Sequence, residues 1–198
     1  VRKVIQSFEG TYDQIPPMYS ALKVNGKKLY ELAREGIEVE RKPRSVTIFE
    51  IEIESIELPR AVITVKCSKG TYIRTLAVQI GEALGYPAHM YELVRTASGT
   101  FSKDNCFTLA QVAELMENEQ IDDALLPVEH ALRDYPYVEI TADVEKQIHN
   151  GQVLPMHTLL QEHDKVVFGK NHKAVAIYIA HPTKGHMMKP DKMFPNVE

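Results

Sequence analysis

The feature that most constrains this chain is a change of period between Ile63 and Leu84. Ile63, Val65 and Cys67 alternate with Thr64, Lys66 and Ser68, the repeat of a strand with one buried face. Past Gly70 the repeat becomes helical: Ile73, Leu76, Ala77, Ile80 and Leu84 form one apolar stripe. Gly85 and Pro87 end that helix. A strand feeding straight into a helix holds the intervening polar side chains over a cleft. Here those are Lys69, Tyr72 and Arg74. If Tyr72–Arg74 is extended, the tyrosine and arginine share a face; if it is helical, they flank the stripe.

The flanks supply partners for that unit. Residues 45–57 read as a long strand, with Ile51 and Ile53 alternating against Glu50, Glu52 and Glu54. Leu58-Pro59-Arg60 turns it into an antiparallel partner over 61–67. Val4, Ile5 and Phe8 suggest the tail of a helix, and Asp13 reads as a turn residue. Gln14-Ile15-Pro16-Pro17 is rigid and extended, because each proline fixes its own φ and restricts its predecessor. Asn25-Gly26 is a turn before a short basic helix over 27–34. Residues 89–94 read as another strand. Thr108 and Gln111 form a capping box for a helix to about Asn118, and a broken helix follows over 122–132.

Asp134-Tyr135-Pro136 reads as a domain boundary. Beyond it come a strand at Val138 and Ile140, a helix over 142–149 stopped by Asn150-Gly151, and strands over 165–169, 174–180 and 187–193. Short strands with one helix predict a small β-barrel. The fold class is therefore α+β.

Charge is informative only by region. The net charge of −4 looks wrong for a nucleic-acid binder. Yet residues 1–44, 66–103 and 146–198 each carry a balance of +3, while residues 104–145 carry −10. Phosphate binding needs a local basic surface; ordinary solvated charge remains the alternative. No apolar run approaches a membrane span, and no signal-peptide pattern opens the 198 residues. Two cysteines, Cys67 and Cys106, make no disulfide framework, so a reducing, cytoplasmic setting is expected. The eight histidines form no zinc spacing with them, so no metal is expected. Cys67 reads as a buried strand residue, with a Cys67–His89 hydrolase as a formal rival.

Three blocks carry a resemblance. They are QIPPMYSALKVNGKKLYELAREG (14–36), CSKGTYIRTLAVQIGEALGYPAHMYELVRTASGTF (67–101) and, within the latter, LVRTASGTF (93–101). In order and spacing they resemble the bacterial tRNA pseudouridine synthase B family, which isomerises a uridine in the T-loop of tRNA. The resemblance implies part of a catalytic domain over 1–134, with an RNA-clamping thumb over about 14–44. A PUA-like RNA-binding domain would follow over 135–198. It also implies chemistry without metal or organic cofactor, and tRNA, through its T-arm, as partner. The family's nucleophilic Asp stands in a G-T-x-D-P-type motif well before the thumb. Gly10-Thr11-Tyr12-Asp13-Gln14 only mimics those letters. The chain thus reads as the C-terminal portion of such an enzyme, inactive alone, its upstream part a missing partner. Such a portion is expected to expose apolar surface and to self-associate.

Residue by residue, the resemblance gives Arg74 the task of pairing with the nucleophilic carboxylate. It gives Tyr72 a contact with the flipped-out base, and Leu93 and Arg95 a place in the substrate pocket. Lys69 and Lys23 become phosphate candidates, and Lys23, Lys27, Lys28 and Arg34 the thumb's basic set. Each has a plainer reading: a surface ion pair for Arg74, a strand cap for Tyr72, core for Leu93, solvated charge for the lysines. A non-catalytic RNA-binding module of the same ancestry is the alternative for the whole.

Overall fold

The computed structural model describes residues 1–194; the last four residues of the expected 135–198 domain lie outside the described residues. Two compact units are present, Val1–Leu93 and Val94–Glu198.

The first unit is built on a three-stranded antiparallel sheet in the order β1 (Gly10–Gln14), β4 (Arg44–Glu57), β5 (Arg60–Cys67). Helices α1 (Arg2–Gln6) and α3 (Ile73–Leu84) complete its core. Ile5, Ile48, Ile51 and Leu76 are its buried centre, with Ile63, Val65, Cys67, Ile73 and Ile80 packed around them. The alternating strand residues and the helical stripe thus meet, as their two periods require. Cys67 belongs to this packing, as its strand period implied. At the end of α3, Gly85 adopts φ 77°, and the amides of Gly85 and Tyr86 bond back to Glu82 and Gly81. A Cβ on Gly81 would lie 2.5 Å from the Ala88 Cβ, so only glycine lets the returning chain pass.

Between β1 and β4 a small hairpin forms. Strands β2 (Lys23–Val24) and β3 (Lys27–Lys28) pair across Asn25-Gly26, both at positive φ, and α2 (Leu29–Arg34) follows. Leu29 and Leu32 are its buried side chains.

In the second unit, β6 (Ala97–Ser98) and β7 (Phe101–Ser102) form a short hairpin. Helix α4 (Leu109–Glu117) begins with the expected reciprocal Thr108–Gln111 bonds. A five-stranded sheet follows in the order β8 (Tyr137–Glu139), β10 (Val166–Lys170), β11 (Lys173–Ala180), β12 (Met187–Met193), β9 (Leu154–Pro155). Only β8–β10 is parallel. Helix α5 (Ala142–His149) lays the fully buried Ile148 into a cluster with Val166, Phe168, Ala176, Tyr178 and Met188. The α+β expectation holds.

Four local expectations need correction. Asp13 is not in a turn: it lies in β1 opposite Ser45, because Tyr12 and Gln14 face inward and Thr11 and Asp13 outward. Residues 89–94 form no strand; no neighbouring strand pairs them, and Tyr91, Leu93 and Val94 are exposed. Lys27 and Lys28 belong to a strand rather than a helix, since the Asn25-Gly26 turn folds them back on Lys23 and Val24. The 122–132 helix is two single 3-10 turns, Ile121–Ala124 and Val128–Leu132, on either side of Pro127.

Candidate functional site

The link from β5 to α3 resolves the choice left open by sequence. Tyr72 is extended (φ −102°, ψ 105°) and caps α3, whereas Arg74 already lies in the first helical turn. The link itself is tied down by Ser68. Its Oγ accepts from the Thr47 amide at 2.9 Å, its amide donates to the Thr47 carbonyl at 2.8 Å, and Thr71 bonds back to its carbonyl. Lys69, exposed, stands on this link.

Both Tyr72 and Arg74 reach the root of the 14–44 segment. The Arg74 guanidinium is exposed and donates to the Tyr19 carbonyl at 2.5 Å. The Tyr72 peptide is gripped by Gln14: its amide donates to Gln14 Oε1 at 2.8 Å, and Gln14 Nε2 donates to its carbonyl at 3.2 Å. Gln14 is almost wholly buried, and the neighbouring Tyr12 phenol is pushed up by burial. Arg41 donates to the Pro16 carbonyl at 3.2 Å and to Glu38 at 3.0 Å, which fixes the far side of the same root.

The basic candidates gather on the hairpin and α2. Lys23 and Lys28 face each other across the two strands. Lys28 Nζ bonds the Tyr30 hydroxyl at 3.2 Å, and both Lys28 and Arg34 lie 5.3 Å from the Tyr30 ring centre. That phenol bond raises Lys28 above its ordinary range. Glu31 is held below the usual carboxylate range, first by the Lys28 backbone amide. Lys27 makes a loose 3.7 Å pair with Glu35, both exposed.

Tyr72, Arg74 and the root of the hairpin therefore come together, and Lys23, Lys27, Lys28 and Arg34 form a second group. Leu93 is not core; it is 57% exposed at the end of the first unit, after a segment where Arg60 sits 4.6 Å over the Tyr91 ring. Arg95 is exposed and falls within the second unit. Gln14 and Tyr30 were not singled out by sequence. The Tyr12/Gln14 alternation points Gln14 inward, but nothing in the pattern names Tyr72, fifty-eight residues on, as its partner.

The chemistry available is specific. Arg74 spends one donor on a carbonyl, and a guanidinium has five. A guanidinium of this kind holds a carboxylate ionised and aimed through two parallel bonds. The second group offers cations around an aromatic face, suited to a phosphate chain.

Residues 1–73 match the N-terminal domain of the TruB family pseudouridylate synthases, and residues 74–133 match the C-terminal domain of tRNA pseudouridylate synthase B. The tRNA pseudouridine synthase B of Halalkalibacterium halodurans is 48% identical over 99% of this chain and 66% of its own length. That of Geobacillus thermodenitrificans is 47% identical over 98% of this chain and 67% of its own. The chain thus spans about two thirds of the length of these curated relatives. Among solved structures, a chain of a Cbf5-Nop10-Gar1 complex superposes with a TM-score of 0.76 at 28% identity, covering 98% of this chain and 61% of that one.

Proposed function

The chain belongs to the TruB family of pseudouridylate synthases, and from that premise we propose that it supplies the RNA clamp and part of the active site of a tRNA pseudouridine synthase. Its substrate is a uridine in the T-loop, which must leave the base stack to be reached. In the reaction the glycosidic bond breaks, the uracil turns, and it is rejoined to the sugar through C5. Arg74 holds the attacking carboxylate ionised, since a carboxyl group buried without a partner would take up a proton. Tyr72 meets the extruded base. Residues 14–44 act as the thumb, with Lys23, Lys27, Lys28 and Arg34 on phosphates and Lys69 adding a cation beside the site. Leu93 serves the substrate pocket, and for Arg95 a substrate contact rests on the family motif alone. Residues 1–134 belong to the catalytic domain and 135–198 to a PUA-like RNA-binding domain. The setting is the cytoplasm, and no cofactor takes part.

One observation carries this reading: the exposed Arg74 at the start of α3, bonded to the root of the basic hairpin. Among the acids weighed for the attacking carboxylate, Asp13, Glu50, Glu52 and Glu54 are all turned away from the task. Asp13 pairs in β1 with its side chain outward, and Glu50, Glu52 and Glu54 stand on the exposed face of β4. The outward placement of these acids favours a second reading, a module that binds RNA without turning it over. The experiment is Arg74→Ala in the full-length enzyme, assayed on an unmodified T-arm hairpin. Turnover is expected to fall by about 100-fold or more with affinity within about twofold, the signature of a group serving the transition state. A pure affinity loss would move Arg74 to the phosphate-binding set.

A further inference from the structure

We infer that Gln14 is a positioning residue, which fixes the Tyr72 peptide and through it the start of α3 that carries Arg74. The inference rests on the reading of Tyr72 and Arg74 as site residues.

The geometry is particular to glutamine. The side chain sits at the end of β1, nearly fully buried, and reaches across to a backbone remote in sequence. One planar amide meets both ends of one residue: Oε1 takes the Tyr72 amide at 2.8 Å and Nε2 gives to its carbonyl at 3.2 Å. Tyr72 precedes the helix, so its amide has no helical acceptor; Gln14 stands in for one. Its carbonyl already accepts the Leu76 amide at 3.0 Å, so Gln14 uses the remaining lone pair. Leucine could fill the space but would leave the half-buried Tyr72 amide without its acceptor. Glutamate could accept but not give while ionised. The remaining neighbours, the Tyr12 hydroxyl and Gln79 Oε1, stand at 3.5 Å and add little.

The placement couples two parts of the site. Gln14 is also where the thumb leaves the sheet, paired with Arg44 where it returns. Five residues on, the Tyr19 carbonyl receives Arg74. The thumb root is therefore held to the Tyr72–Arg74 turn at two points, one backbone-directed from each side. A shift of the root moves the tyrosine and arginine with it, and an error of about 1 Å in such a group costs large factors in rate.

The test uses Gln14→Leu and Gln14→Glu. In the 198-residue chain, Gln14→Leu is expected to speed exchange of the Tyr72 amide about tenfold or more, while amides beyond Leu76 in α3 keep their protection. Gln14→Glu keeps the acceptor and is expected to keep the Tyr72 amide protected, which covers the case where the leucine variant fails to fold. In the full-length enzyme, Gln14→Leu is expected to lower kcat on a T-arm hairpin about tenfold with KM within about twofold. In Gln14→Leu, an unchanged Tyr72 amide, an equal loss of protection across β4, β5 and α3, or an unchanged kcat with the amide loosened would each overturn the assignment, as would a Tyr72 amide loosened in Gln14→Glu. Arg74→Lys separates the two readings: if it leaves kcat intact, the site reading itself fails, whatever Gln14 does.

Discussion

The hairpin-and-helix segment over 14–44 and the five-stranded sheet of the second unit spend their residues differently. The sheet commits whole strands to burial: Val166, Val167 and Phe168 are buried in succession, as are Ala174 through Tyr178. Tyr178 is fully buried and still satisfied, its hydroxyl donating to the Gln152 carbonyl at 2.9 Å. The 14–44 segment buries only Gln14, Pro16, Ser20, Leu29 and Leu32, and is held at its root by side chains that bond to backbone. Packing makes the sheet rigid. Polar links leave the 14–44 segment room to change shape, with its cations outward. The difference can be tested region by region.

The largest effect is expected on the packed side. Ile148→Ala in the second unit will cost about 2–5 kcal/mol, because the sheet around it cannot collapse into the space. Leu29→Ala, equally buried but set in a small segment able to relax, will cost less. Denaturant titration of both variants checks this, and equal losses would erase the contrast.

Next in size is the salt dependence of RNA binding. Changing Lys23, Lys27 and Lys28 together to Ala will flatten the slope of log K against log salt by about 2–3 units, because each phosphate left unneutralised keeps its counterion. An unchanged slope would place the phosphate-binding surface on the other unit. Hydrogen exchange sharpens the comparison without mutation: in the free chain, amides over 14–36 are expected to exchange faster than those of α3. Equal protection would mean the root bonds hold the segment as firmly as packing does.

The smallest effect is on pH. Lys170 lowers Glu145, Lys165 lowers Asp191, and the Asn171 amide lowers Glu139. Each carboxyl has a folded value below its unfolded one, so the unfolded chain binds more protons as acid is added. The stability they contribute is present above their ordinary values of 4.5 and 3.8 and is lost as pH falls below them. The second unit is expected to melt at lower temperature at pH 3 than at pH 6, though modestly, because these groups are solvent-screened. A higher melting temperature at pH 3 would contradict the assignment.

Much of this was legible in the sequence for a physical reason. The period change between Ile63 and Leu84, the alternation of β4 and the Thr108 cap are local patterns, and each appears where expected. So does the Asn150-Gly151 stop, where Gly151 takes positive φ. What was not legible depends on partners far along the chain. Residues 89–94 have strand-like composition but nothing to pair with. Asp13 has turn-like neighbours but is drawn into a sheet by β4. Gln14 looks like an ordinary polar residue until Tyr72 is folded against it. In the candidate site, the arginine, tyrosine and lysines came from a motif, whereas the bonds that orient them came only with the fold.

The proposed function has this chain clamp RNA and present Arg74 to a carboxylate that Asp13, Glu50, Glu52 and Glu54 do not supply. Incubating the pure 198-residue chain with an unmodified T-arm hairpin, then analysing the nucleosides, tests it most directly. Salt-sensitive binding and no pseudouridine are expected. Multiple turnover by the chain alone would contradict it and make Asp13 the first residue to replace.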